Sequence, residues 1–228
     1  ERAVLVQPSV YSTDNAVMLG ALAQLGDRAR GVAVVDDDVS DSELSRLNAA
    51  GIRGVRLNLV DVTDPSGALP LDRARALAQR IAPLGWHMEL LVHVDDVADL
   101  DTRLKDFPVD VVFGHLGYVR PGQNPDIPSF KAFLRLLDGG RAWVKLTGPY
   151  RISSGGVPYA DTDPFARALL AAAPDRILWG SDWPHVMVKG AMPNDGDLCD
   201  ILCHWAGDGQ TLEKVLVKNP AALYGFGP

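Results

Sequence analysis

Ile177-Leu178-Trp179-Gly180-Ser181-Asp182-Trp183-Pro184-His185 changes character at its midpoint. The first residues are apolar and suit a strand covered on both faces. From Ser181 the chain turns polar at once, which is how a buried strand ends when its C-terminal loop borders a pocket. The same layout recurs upstream. Val109 to Gly114 is followed by His115-Leu116-Gly117, and Ala142 to Thr147 by Gly148-Pro149-Tyr150-Arg151. Further strand-like runs are Val4 to Gln7, Gly31 to Val35, Gly54 to Asn58 and His87 to Val92. Few of them alternate with polar residues, as expected for parallel strands with cover on both sides.

Helical periodicity fills the gaps. It runs over Asp14 to Leu25, Ser42 to Ala50, Leu71 to Ala82, Asp95 to Phe107, Pro128 to Leu137, Asp163 to Ala173, Asp195 to Ala206 and Thr211 to Lys218, where Asn219-Pro220 is expected to end the last helix. Strand then helix, at a spacing of roughly 20–35 residues, is the pattern of βα units. A dinucleotide-binding open sheet calls for glycines after its first strand; here that position reads Gln7-Pro8-Ser9-Val10-Tyr11. Polar residues at strand ends (Ser9, Asn58, His93, His115, Thr147, Asp182) favour a (β/α) barrel instead. A closed barrel of this type needs eight strands. The runs here number seven, and the first already begins at the start of the chain. The expectation is therefore an α/β fold, a (β/α)8 TIM-like barrel with the first βα unit outside this chain, residues 1–228 forming one domain.

Composition limits the partners. Hydrophobic residues make up 47% and charged residues 22%, with a formal net charge of -7. The acidic balance argues against a nucleic-acid partner, and no apolar run is long enough for a membrane span. Cys199 and Cys203, four apart, read as two small buried residues of one helix face. Nothing calls for an oxidising compartment, so the cytoplasm is the expected location.

Asp182 is the leading catalytic candidate: a carboxylate at a strand end can hold and deprotonate a water, although it can also simply cap the following turn. His115 can polarise a carbonyl or bind a metal, or serve as a satisfied structural group. His185 is placed to support Asp182, His93 is weaker, and His87, at the start of its strand, reads as structural. The five histidines include no His-x-His or His-x-x-x-His pair, so no metal site is expected from this chain itself. Arg56 lies inside an apolar strand and must find an anion, either a carboxylate of the fold or one on a substrate. Arg151 opens a Gly/Ser/Pro/Tyr loop that can cover a pocket or be plain connection.

Val6-Gln7-Pro8-Ser9, Arg53-Gly54-Val55-Arg56-Leu57-Asn58, Gly114-His115-Leu116-Gly117, Val144 to Arg151, Leu178 to His185, Met192 to Gly196 and Lys218 to Tyr224, in this order, resemble the amidohydrolase superfamily, in the branch of the pyrone-dicarboxylate and sugar-lactone hydrolases. That resemblance implies a distorted (β/α)8 barrel and hydrolysis of a small carboxylated or polyhydroxylated lactone. Residue by residue, Asp182 matches the water-activating aspartate and His115 the histidine that polarises the lactone carbonyl. Arg56 and Arg151 match arginines that hold substrate carboxylates, Ser9 matches a substrate-contacting serine, and His185 a supporting residue. The family's His-x-His has no counterpart in this chain. With it, a divalent metal such as zinc is conceivable; without it no cofactor is expected. Two arginines of the pyrone-dicarboxylate enzymes are replaced, by Val62 and by Tyr118, which weakens the case for a dicarboxylate. A metal-dependent decarboxylase or C–N/C–C hydrolase of the same superfamily is the competing expectation, and a non-catalytic chain the third.

Overall fold

In the computed structural model, residues 2–60 and 71–227 are described, so Asp61 and Val62 lie outside the described residues. Among the described residues seven strands form a sheet in plain chain order: β1 Ala3–Val6, β2 Ala29–Ala33, β3 Ile52–Asn58, β4 His87–Leu91, β5 Val111–Phe113, β6 Ala142–Thr147 and β7 Ile177–Gly180. The β1–β2, β2–β3, β3–β4 and β6–β7 pairs are parallel. The main helices between them are α1 Ala16–Leu25, α2 Asp41–Ala49, α3 Leu71–Ile81, α4 Leu100–Arg103, α5 Pro128–Asp138 and α6 Asp163–Ala172. After β7 come α7 Asp195–Ala206, α8 Gly209–Glu213 and α9 Asn219–Tyr224. No described helix is long and apolar enough to cross a membrane. The chain packs as two compact units.

The first unit comprises Glu1–Leu91, Phe107–Val111 and Ala221–Pro228. Its strands carry buried Val32, Ala33, Ile52, Val55, Met88 and Leu90, covered by Met18 and Leu22 of α1, Leu44 and Leu47 of α2, and Ala74, Leu77, Ala78 and Ile81 of α3. Burying each of the larger side chains stabilises the unit by roughly 1.5–3 kcal/mol. The start of α2 is capped as its sequence dictates: Ser40 Oγ accepts from Glu43 N at 3.1 Å. Gly54 faces His87 across β3–β4, and a Cβ on Gly54 would fall 2.5 Å from the imidazole. His87 is buried, edge-on to Tyr224.

The second unit comprises Val92–Asp106 and Val112–Pro220. Its strand core is Val112, Phe113, Val144, Leu146, Ile177 and Leu178. Phe113, Phe133, Phe130 and Phe165 form an edge-to-face aromatic run against it, with centroids 4.9, 5.8 and 5.0 Å apart in that order.

Three sequence expectations need correction. The helix expected over Asp95 to Phe107 shrinks to a 3-10 turn at Val94–Asp96 and the single turn of α4. Arg120, from outside the segment, pairs with both Asp95 and Asp96 of the 3-10 turn. The last helix does not end at Asn219-Pro220. Lys214–Lys218 widens into a π-turn and α9 continues through Pro220. Pro220 has no N–H for the usual i→i−4 bond, and the wider turn absorbs the loss. Finally, Cys199 is half-buried and Cys203 exposed. The buried face of α7 belongs to Leu198, Ile201, Leu202 and Trp205.

Candidate active site

The β6–β7 register decides which loops meet. Thr147 pairs with Gly180, so both strands end at the same level. The loop Gly148-Pro149-Tyr150-Arg151 therefore emerges beside Ser181-Asp182-Trp183-Pro184-His185. His115 follows β5 in the same unit. Several non-glycine residues here adopt left-handed backbone: His115 (φ 47°), Leu116 (φ 54°), Tyr118 (φ 52°), Asp182 (φ 65°) and His185 (φ 58°). Each such residue costs roughly 1–3 kcal/mol and persists only where surrounding structure holds it. Such concentrations are characteristic of functional sites.

Asp182 is held asymmetrically. Its Oδ2 accepts from Tyr150 OH at 2.6 Å and from Arg151 Nε at 2.6 Å. Its Oδ1 lies 3.9 Å from His115 Nε2, beyond direct hydrogen-bond reach. His115 is buried, and its Nδ1 lies 3.3 Å from the Thr147 carbonyl, which can only accept. That contact places a proton on Nδ1 and leaves Nε2 facing Asp182. Arg151 also donates through Nη2 to Val186 O at 3.0 Å. Burial works against the Arg151 cation, but the charge and hydrogen bond of Asp182 outweigh it and raise its pKa further. Burial, followed by the Asp182 hydrogen bond and charge, pushes the Tyr150 hydroxyl far above the usual phenol range. Gly148 (φ 55°) sits beneath all of this: a Cβ there would lie 2.9 Å from His115 Nδ1 and 3.1 Å from Asp182 Oδ2. His185 is buried, with Nδ1 2.9 Å from Tyr150 OH and Nε2 3.2 Å from Asp195 Oδ1, out of line for a hydrogen bond.

Of the residues expected from sequence, the structure brings together Asp182, His115, Arg151 and His185. Ser9 and Arg56 belong to the first unit. There Ser9 Oγ accepts from Asn58 Nδ2 at 3.0 Å, while Arg56 donates to Gln7 O at 3.3 Å and lies 4.0 Å from Glu89 Oε1. Gln7, buried, ties this loop together by donating to Asp14 O at 2.7 Å and Ser12 O at 3.2 Å. Sequence reasoning missed Tyr150, Gly148 and Gln7 as organisers. It placed His93 low, and His93 stacks on Tyr118 at 4.8 Å with its Nδ1 on the Tyr118 carbonyl. A cleft of about 370 Å³ lined by Val157, Pro158, Asp163, Ile201 and His204 contains none of the grouped polar residues. Among the described residues no three or more His, Cys, Asp or Glu side chains are arranged to hold a metal ion.

Residues 1–226 match the amidohydrolase family. The chain belongs to that family. It is 38% identical to a 2-pyrone-4,6-dicarboxylate hydrolase of Comamonas testosteroni, over 98% of this chain and 75% of that protein. It is 32% identical to a D-galactarolactone isomerase of Agrobacterium fabrum, over 100% of this chain and 77% of that protein. Among solved structures, a putative 2-pyrone-4,6-dicarboxylic acid hydrolase from Pseudomonas putida superposes with a TM-score of 0.86 at 34% identity, covering 100% of this chain and 83% of that one. The α/β class and the ordered series of parallel βα units are those of the amidohydrolase barrels. This amidohydrolase chain spans about three quarters of the length of the relatives it matches.

Proposed function

We propose that this amidohydrolase chain opens a small lactone by hydrolysis, with Asp182 as general base and His115 as the donor to the carbonyl oxygen. The observation that carries the reading is the divided carboxylate. Oδ2 is fixed by Arg151, while Oδ1 faces His115 Nε2 at 3.9 Å. A water on Oδ1 attacks the lactone carbonyl carbon and gives its proton to that oxygen. For His115 to donate to the developing oxyanion, its Nε2 must carry a proton as well, while Nδ1–H stays on the Thr147 carbonyl. The tetrahedral intermediate then collapses. The ring C–O bond breaks, and the proton held by Asp182 passes to the departing oxygen. The product is a hydroxy acid or its tautomer, and both residues return to their starting states. The kinship with lactone-processing relatives supports the same reading.

The isomerase relative gives a second reading, in which the lactone is rearranged rather than opened. Product analysis in oxygen-18 water separates the two, since hydrolysis places one solvent oxygen in the new carboxylate. The test of the base is Asp182→Asn. Loss of a positioned base is expected to lower kcat by roughly 10²–10⁴-fold with substrate binding retained. Turnover near the wild-type rate in that variant removes Asp182 from the mechanism.

A further inference from the structure

Tyr150 has a single hydroxyl proton, and the geometry commits it. The proton goes to Asp182 Oδ2 at 2.6 Å. The phenol oxygen is then an acceptor, so the 2.9 Å contact to His185 Nδ1 must be a donation from the imidazole. Burial and the neighbouring carboxylate hold the phenol in its protonated form, so it stays a donor throughout the pH range in which lactones survive. Donation runs in one direction, from His185 to Tyr150 to Asp182. With Arg151 Nε on the same oxygen at 2.6 Å, Oδ2 has two strong donors. Oδ1 accepts from neither.

We infer that Tyr150 is a positioning residue for hydrolysis: oriented by His185, it locks Oδ2 of Asp182 and leaves Oδ1, on the His115 side, as the oxygen that takes the water's proton. This rests on the reading of Asp182 as the base. The phenol ring also lies beside the Tyr159 ring, 6.2 Å away, and the Arg151 guanidinium, 5.3 Å from the centroid. Phenylalanine preserves both of these ring contacts and removes only the hydroxyl.

Steady-state kinetics of Tyr150→Phe test the inference. A hydrogen bond to a charged group is lost, so kcat is expected to fall by roughly 10- to 100-fold, while KM stays within about threefold because the hydroxyl acts through Asp182. A purely structural role would lower the melting temperature without that split. His185→Leu is expected to lower kcat too, and the double variant should be no worse than Tyr150→Phe by more than about twofold, because the two residues act as one string. A third readout is independent of turnover. The tyrosinate ultraviolet absorbance present in Asp182→Asn and absent from Asp182→Asn/Tyr150→Phe should appear at lower pH than any Tyr150 signal in the wild type, since the acceptor charge that suppresses its ionisation is gone. An inactive Asp182→Asn beside a Tyr150→Phe with wild-type kcat overturns the positioning role alone. So do multiplicative losses in the double variant, or an unaltered Tyr150 titration. An active Asp182→Asn overturns the base assignment and this inference with it.

Discussion

Gly148 shows how a single residue governs the site. Its backbone is left-handed at φ 55°, and the space a Cβ would need is already occupied by His115 Nδ1 and Asp182 Oδ2. Gly148→Ala therefore strains the loop and pushes the two reacting groups apart. A misplacement of about 1 Å costs on the order of 10² in rate, and a loss of that size in kcat is expected with a far smaller fractional change in KM. A Gly148→Ala enzyme with undiminished kcat would mean the loop relaxes without moving either group. The placement of Asp182 and His115 at strand ends could be read from sequence because each follows closely on an apolar strand. Tyr150 could not. An aromatic residue in a Gly/Ser/Pro loop reads as pocket cover, and its partner is fixed by the Thr147–Gly180 register, which no local pattern encodes. The left-handed backbone at Asp182 and His185 was equally hidden, since even these more tolerant residue types adopt it only occasionally.

At the scale of elements, β6 and β7 lie where their apolar runs place them, short runs bounded by turn residues, with β6 buried throughout and β7 over Ile177 and Leu178. Elements held by side-chain contacts are less visible. The Arg120 contacts to Asp95 and Asp96 span residues far apart in sequence, and the apolar spacing at Val97, Leu100, Leu104 and Phe107 does not reveal them. The chain end offers a second case. Asn219, expected to stop a helix, is buried and donates to Pro174 O at 2.9 Å and Ile177 O at 2.7 Å. It thereby pins the terminal helical segment to the start of β7. Asn219→Ala removes both bonds and leaves a buried Ile177 carbonyl without this donor. The expected cost is roughly 1–3 kcal/mol, or about 2–4 °C in melting temperature per kcal/mol for a chain of this size. A differential scan of the variant checks it, and an unchanged melting temperature would show that α9 is held by packing alone.

At the scale of the whole molecule, charge is expected to discriminate among lactones. The chain carries a formal net charge of -7, which works against a dianion approaching at low ionic strength. Within the second unit, the Arg151 guanidinium is already committed to Asp182 Oδ2 and the Val186 carbonyl. Tyr118, at a position where the family resemblance implies an arginine, presents a neutral ring 5.2 Å from His115. One missing charge-assisted contact is worth roughly 1.5–3 kcal/mol, hence about tenfold or more in affinity. Identity of 38% to a dicarboxylate hydrolase leaves room for such a change. A monoacid or neutral sugar lactone is therefore expected to exceed 2-pyrone-4,6-dicarboxylate in kcat/KM by at least about tenfold at low salt. Added salt screens the repulsion, so the gap should narrow as ionic strength rises. Steady-state rates for the three substrate classes at two ionic strengths measure both effects. If the dicarboxylate proves the best substrate at low salt, the second carboxylate finds a cation that this reading of the charges has not supplied.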